Sequence, residues 1–383
     1  MDILNTKIKS ILTEKNTKIK PENIKAGINI LGIIGTYEGG GGSIVEKDVN
    51  FFDYDGTLVA SYTKSEFLAL NEMPTNPSHS GMVAQSWNWS LSDAKEYVTD
   101  YGVLDIGQTY TTESGNSEFD VEVTAKTGLT VTCNMIGTKN WGDGTTDSYN
   151  SHTYSTPGKY TIICDGTSYN GSYIFGSSSS TIPYYPIAAR MAKVTRIPNY
   201  AFNNCYSLKY VTISNDITDI GSYAFSKCSA LKWVTIPSTT TSISNGIFNN
   251  CYSLERACLS KNCAGGSATS YMFGNCYALK SLVIPPSAKN LYGNFLQNCY
   301  ALEKLVIPIS ITTIANNAFL NCTSIVKYDF SKFSAIPTLQ NTGAFTGINS
   351  ICKIIVPDDL YNDWIVASNW SSYETYMEKA SEY

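Results

Sequence analysis

The sequence predicts a mainly β, multidomain protein whose C-terminal half is a solenoid, on three observations. A motif centred on cysteine recurs at Cys205, Cys228, Cys251, Cys276, Cys299 and Cys322, in steps of 23, 23, 25, 23 and 23 residues. Each recurrence leads into two apolar residues spaced two apart, the period of a strand with one face inward. A run of four glycines, Gly39 to Gly42, separates a short N-terminal segment from the rest of the chain. A step of this size is one coil of a stacked repeat, and successive coils share one buried core.

Within each coil the positions are consistent. Three residues before the cysteines stand Phe202, Phe225, Phe248, Phe273, Leu296 and Phe319, and three after stand Leu208, Leu231, Leu254, Leu279, Leu302 and Ile325. The inward strand residues are Val211 and Ile213, Val234 and Ile236, Ala257 and Leu259, Leu282 and Ile284, Leu305 and Ile307, and Tyr328 and Phe330. A seventh coil, with Ile348 in place of the cysteine, runs through Phe345, Ile351, Ile354 and Val356 and ends the stack. The pattern resembles the BspA-type leucine-rich repeats of bacterial surface and phage proteins, I-x-x-x-A-F-x-x-C-x-x-L-x-x-V-x-I-P, which residues 197–237 match closely. The resemblance implies a leucine-rich repeat solenoid over residues 169–357 and a helical cap over 358–383, with Tyr361, Trp364, Ile365 and Trp370 covering the end of the core.

Six of the eleven cysteines fall in one column, so they read as reduced, small apolar fillers rather than a disulfide framework. No C-x-x-C occurs, and the two histidines, His79 and His152, lie outside the cysteine-rich region, so no metal and no cofactor is expected. Residues 171–328 hold 12 Lys and Arg against 4 Asp and Glu in a chain of net charge −5, which leaves the rest strongly acidic. That balance argues against a nucleic-acid partner; the solenoid lysines suit contact with an anionic surface polymer and equally a solvating rim. No apolar run approaches the roughly 20 residues that span a bilayer, so no membrane insertion is expected. Residues 1–20 lack the uninterrupted apolar core of a secretory signal.

In chain order, residues 1–38 read as an attachment and oligomerisation segment. Leu4, Ile8 and Ile11 lie on one face of a short helix, which needs a partner to hold. The next stretch contains Ile28, Ile30 and Leu31 and resembles the I-K-x-G-x-x-I-L-G-x-x-G-T-Y-E-G segment of phage tail and fibre proteins. Residues 39–47 form a glycine-rich linker. Residues 48–112 form a small α+β module, in which Ser90 or Ser92 caps a helix ending at Gly102. This block also resembles a module of phage structural proteins. In residues 113–168, Trp141-Gly142-Asp143-Gly144-Thr145, His152-Thr153-Tyr154 and Pro157-Gly158-Lys159-Tyr160 resemble the core of a PKD-type β-sandwich, which makes His152 structural.

Phe52-Asp53-Tyr54-Asp55-Gly56-Thr57 spells the D-x-D-G-T signature of haloacid dehalogenase-type phosphatases. Residues 45–50 are too polar for the buried strand that family needs, so Asp53 to Gly56 reads as a turn, His79 as a surface-loop residue, and the chain as no enzyme. Binding is placed on the outward strand residues, where Tyr210, Trp233 and Arg256 stand side by side with Lys304 further along; a sugar or an anionic glycan suits them, and so does packing against the preceding domain or a sister subunit. A second column, Tyr206, Tyr252, Tyr277 and Tyr300, lines one edge. Together the resemblances imply a non-enzymatic phage virion protein, a tail, baseplate or capsid-decorating fibre exposed on the particle. It would attach to other virion proteins through its N-terminus, form a homo-oligomer with a trimer favoured, and touch a host-surface glycan or protein. A bacterial cell-surface BspA-like adhesin is the alternative.

Overall fold

The computed structural model describes residues 29–30, 33–34, 45–124, 130–175, 185–263 and 270–383. The chain divides into two compact units, Met1–Lys47 and Asp48–Tyr383. In the first, Asn29–Ile30 pairs antiparallel with Ile33–Ile34. Ile30 therefore lies in a strand, whereas Leu4, Ile8, Ile11, Ile28, Leu31 and the glycine run lie outside the described residues.

The second unit opens with a four-stranded sheet of β1 (Val49–Phe52), β2 (Leu58–Tyr62), β3 (Met82–Trp87) and β4 (Leu104–Thr112), in the order β2-β1-β4-β3. β1 runs parallel to β4 and the other pairs are antiparallel. The polarity expected to keep residues 45–50 out of a buried strand does so for 45–48, which precede β1, but not for Val49 and Asn50. Asn50 is buried in β1 because its amide donates to Asp105 Oδ1 at 3.1 Å and accepts from Ser61 Oγ at 2.7 Å. Helix α1 (Lys64–Leu68) starts at a Thr63/Glu66 capping box. Helix α2 (Leu91–Tyr101) starts where Ser90 Oγ accepts the Asp93 amide and stops at Gly102, as its sequence predicts.

Next, β5 (Ser117–Val123), β6 (Lys139–Asn140), β7 (Thr146–Asp147), β8 (Gly158–Cys164), β9 (Tyr185–Met191) and β10 (Tyr210–Ile213) form one six-stranded sheet, in the order β7-β6-β8-β5-β9-β10. The expected tight hairpin is present, with Gly142 and Gly144 both at positive φ and Trp141 buried beneath it. The expected boundary near residue 168 is not. β9 pairs antiparallel with β5 and parallel with β10, the first strand of the solenoid. The buried core consequently runs without interruption from Phe119 to Met377.

The solenoid strands are β10, β11 (Trp233–Thr235), β12 (Arg256–Cys258), β13 (Ser281–Val283), β14 (Lys304–Val306), β15 (Lys327–Asp329) and β16 (Lys353–Val356). Phe202, Phe225, Phe248 and Phe273 stack at 5.3, 5.8 and 5.7 Å between ring centroids. The cysteines, all free and buried, do more than fill space. Cys228, Cys251, Cys276 and Cys299 each donate Sγ–H to the phenylalanine carbonyl of the coil before, at 3.4, 3.1, 3.2 and 3.2 Å. Burial pushes the Cys251 thiol up to about 12, so it stays a donor. The residue before each cysteine is left-handed, which asparagine tolerates. Asn250, Asn275, Asn298 and Asn321 convert that requirement into an amide ladder with bonds of 2.7 to 2.8 Å.

In the last coil Ile351 faces solvent at 69% exposure and Cys352 takes the buried place, a one-residue offset from the predicted pattern. Trp364 of helix α3 (Tyr361–Trp364), with Trp370, closes the core as expected. The cap also contributes a strand, β17 (Met377–Lys379), parallel to β16.

Candidate functional site

The outward strand residues do not form one open row. The sheet of residues 48–112 lies across the strand wall and consumes its centre. Phe52 packs on Trp233 at 4.5 Å, leaving Trp233 6% exposed. Arg256 lies over the Phe52 ring at 4.9 Å and donates to Asp105 at 2.8 Å; Ser281 donates to the same oxygen at 3.1 Å. The contact is close enough that a Cβ on Gly107 would stand 2.1 Å from Thr235 Oγ1. Asn88 Nδ2 donates to the carbonyls of Ile236 and Cys258, and Trp89 Nε1 to that of Leu259. Trp233 and Arg256 are thus interface residues, and the reading of them as ligand contacts is corrected: an aromatic and a cation that suit a sugar ring equally suit Phe52 and Asp105.

Tyr210 and Lys304, the ends of the row, remain accessible. Tyr210 is 46% exposed and sits 6.1 Å from Tyr54, in a cluster with His79 and Tyr110 around the buried Asp53. His79 is no simple loop residue. Its Nε2 lies 2.6 Å from Asp53 Oδ2, while Tyr110 Oη and the Tyr54 amide both donate to Oδ1 at 2.7 Å. The D-x-D-G-T segment is a turn, with Gly56 N donating to Asp53 O, as its composition suggests. His152 stacks on Trp141 and meets Asp143 at 2.7 Å, the structural place expected for it.

Lys304 lines a cleft of about 500 Å³ where the covering sheet ends, between Tyr101 and Gly102 on one side and strands β14 and β15 on the other. Three neighbouring lysines are engaged. Lys64 donates to Thr99 O at 2.8 Å, Lys332 to Asp100 O, and Lys327 pairs with Asp329 at 3.3 Å. Lys304 has no hydrogen-bond or ion-pair partner for its ammonium among the described residues, and with the exposed Val326 and Ile309 it makes this an accessible surface of mixed polarity on the strand wall.

The second column is open along one edge. Tyr206, Tyr252, Tyr277 and Tyr300 are all exposed. Tyr252 and Tyr277 stack at 5.0 Å, and Tyr277 and Tyr300 lie at 5.4 Å. Tyr252 and Tyr277 spend faces on one another and present edges and hydroxyls to solvent, an arrangement for hydrogen bonding rather than for stacking a sugar between them. Among the described residues no cluster of potential metal ligands occurs, and no helix is long and apolar enough to cross a membrane.

Compared with known proteins, residues 195–326 and 267–362 match the BspA type Leucine rich repeat region, in six copies. No curated protein matches the chain. Similar solved structures include a leucine-rich repeat protein from Eubacterium ventriosum ATCC 27560, 22% identical over 45% of this chain and 50% of that one, with a TM-score of 0.37. Another, from Bacteroides ovatus ATCC 8483, is 25% identical over 43% and 47%, with a TM-score of 0.32. The T. pallidum Leucine Rich Repeat protein is 21% identical over 35% and 65%, with a TM-score of 0.28. The chain spans about half the length of the first two. By the family match, residues 195–362 are BspA-type leucine-rich repeats, and the protein is mainly β with a C-terminal solenoid.

Proposed function

We propose that the chain is a non-enzymatic adhesin of the BspA-like, bacterial cell-surface kind, in which the solenoid carries the contact with a surface glycan or protein. The observation that supports it best is an accessible cleft with a free ammonium, that of Lys304, on six coils of BspA-type repeat. In this reading residues 113–168 act as a PKD-like spacer fused to the stack, and Trp233 and Arg256 hold the covering module in place. Tyr210 and Lys304 are the surviving candidate contacts. The test coats beads with the full chain and measures attachment to bacterial envelopes and to mucosal matrix. Attachment that Lys304→Glu weakens is the expected result; beads that adhere to nothing overturn the reading.

One sequence feature favours a second reading. The peptide of residues 21–39 and the glycine run after it resemble the start of phage tail and fibre proteins, which suits a virion fibre, trimeric and anchored through its N-terminus. Immunogold labelling separates the two, since label on phage particles rather than on the cell envelope selects the fibre.

A further inference from the structure

We propose that the seam between β14 and β15 docks an extended peptide of a partner protein, which adds as a strand and sets a carboxylate on Lys304. This deepens the adhesin reading by naming the class of its partner. The solenoid wall is not one sheet. β10 belongs to the six-stranded sheet, β11, β12, β13 and β14 form a second ladder and β15, β16 and β17 a third; among the described residues no ladder bond joins β10 to β11 or β14 to β15, and at β14/β15 the cleft of about 500 Å³ lies against both strands. The same two coils stay in register elsewhere. Asn290–Leu291, Thr313–Ile314 and Thr338–Leu339 pair in parallel, and Leu296 N donates to Ala318 O at 2.8 Å. The coils therefore touch along one wall and part along the other.

The side chains behind the two strands change in volume at the same place. The inward strand residues are Leu305 and Ile307 in one coil and Tyr328 and Phe330 in the next. Tyr328 is fully buried, 5.2 Å from Phe319 and 4.9 Å from Phe345, where the coil before carries the smaller Leu305.

The parted edges are chemically specific. Lys304 N donates to Lys280 O and Val306 O accepts from Ile284 N, so these residues turn their main-chain groups toward β13. Val326 O accepts from Lys353 N and Phe330 N donates to Ile355 O, so these face β16. By the alternation of a strand, the N–H and C=O groups of Leu305, Lys327 and Asp329 face the seam, where no strand meets them. Donors and acceptors alternating along an edge are the complement of another extended backbone, the mode of strand addition. Exposed Val326 and Ile309 flank the edges, and although Asp100, Glu303 and Asp329 also line the cleft, the unpaired Lys304 ammonium offers an acidic side chain a partner.

The experiment pans a displayed library of random dodecapeptides against the immobilised full chain and titrates the best peptide by fluorescence anisotropy. Lys327→Pro deletes an N–H that faces the seam, on a strand at the edge of its own sheet, where proline is tolerated. Peptides with an acidic residue in an alternating apolar frame are expected. Their binding should fall at least about tenfold in Lys327→Pro and in Lys304→Glu, with an unchanged melting temperature, while Tyr277→Ala binds as the parent does. Should Lys327→Pro fail to fold, Lys304→Glu carries the test. No enriched peptide, or binding indifferent to Lys327→Pro in a folded variant, overturns the proposal. Binding of envelope glycans that Lys304→Glu weakens and Lys327→Pro spares overturns it as well, in favour of a side-chain glycan site. Beads that still adhere when no peptide is enriched leave the adhesin reading standing without the peptide; peptide binding by beads that adhere to nothing leaves the reverse.

Discussion

The strand wall and the tyrosine edge are columns of the same coils, yet one is largely an internal interface and the other faces solvent. The outward row of Tyr210, Trp233 and Arg256 looks like a ligand platform, but Trp233 and Arg256 are occupied by Phe52 and Asp105. The column of Tyr252, Tyr277 and Tyr300 looks like a rim and stays open. An aromatic ladder in a repeat protein is therefore not by itself a binding site, because the same chemistry serves intramolecular docking, and only the element lying above it decides.

Trp233→Ala attacks the difference where it is greatest. It empties the contact with Phe52 and should cost about 4 kcal/mol of unfolding free energy, measured by guanidinium denaturation. A cost below about 1 kcal/mol would mean that the covering sheet is not held there. Gly107→Ala tests the closeness of the cover without touching the solenoid. With Thr235 Oγ1 2.1 Å from the new Cβ, the sheet must shift, at about 2 kcal/mol. Cys251→Ala probes the stack common to both walls. It removes a donor to Phe225 O and leaves a small void, for about 1 kcal/mol in the same assay, and native Cys251 should resist alkylation at pH 8.

The latch between α2 and the third coil has a pH signature. The hydrogen bond from Lys261 holds the Asp93 carboxyl below its ordinary value, and Ser90 helps against burial. A depressed folded pKa contributes stability above the unfolded value, about 3.9, and loses it as pH falls through the folded one. The Lys261 and Asp93 side chains are 34% and 40% exposed, so the loss between pH 4 and pH 3 should stay below about 1 kcal/mol and vanish in Asp93→Asn. Tyr277→Ala, on the open edge, should cost least, within about 0.5 kcal/mol. A larger cost would show that the tyrosine stack stabilises the solenoid and is no free surface.

The parts legible in the sequence were those in which one residue type answers one local requirement. The stacked phenylalanines, the cap tryptophans, the Ser90–Gly102 helix and the Trp141 hairpin all lie where composition and spacing placed them. The asparagines before the cysteines are a further readable signal, since a residue recurring where the turn needs positive φ marks a backbone constraint. The burial of Asn50 and the engagement of His79 by Asp53 were not legible, because each depends on a partner 26 to 55 residues away.

By itself the sequence determined the solenoid, its period and its closed end, because each coil repeats the same short-range register and buries its core against a copy of itself. Only the tertiary structure decided which face of that solenoid is free. The fusion of β9 to β10, the Gly107 approach to Thr235 and the parting of β14 from β15 arise from surfaces meeting across long stretches of chain, and no local pattern encodes which surfaces will meet.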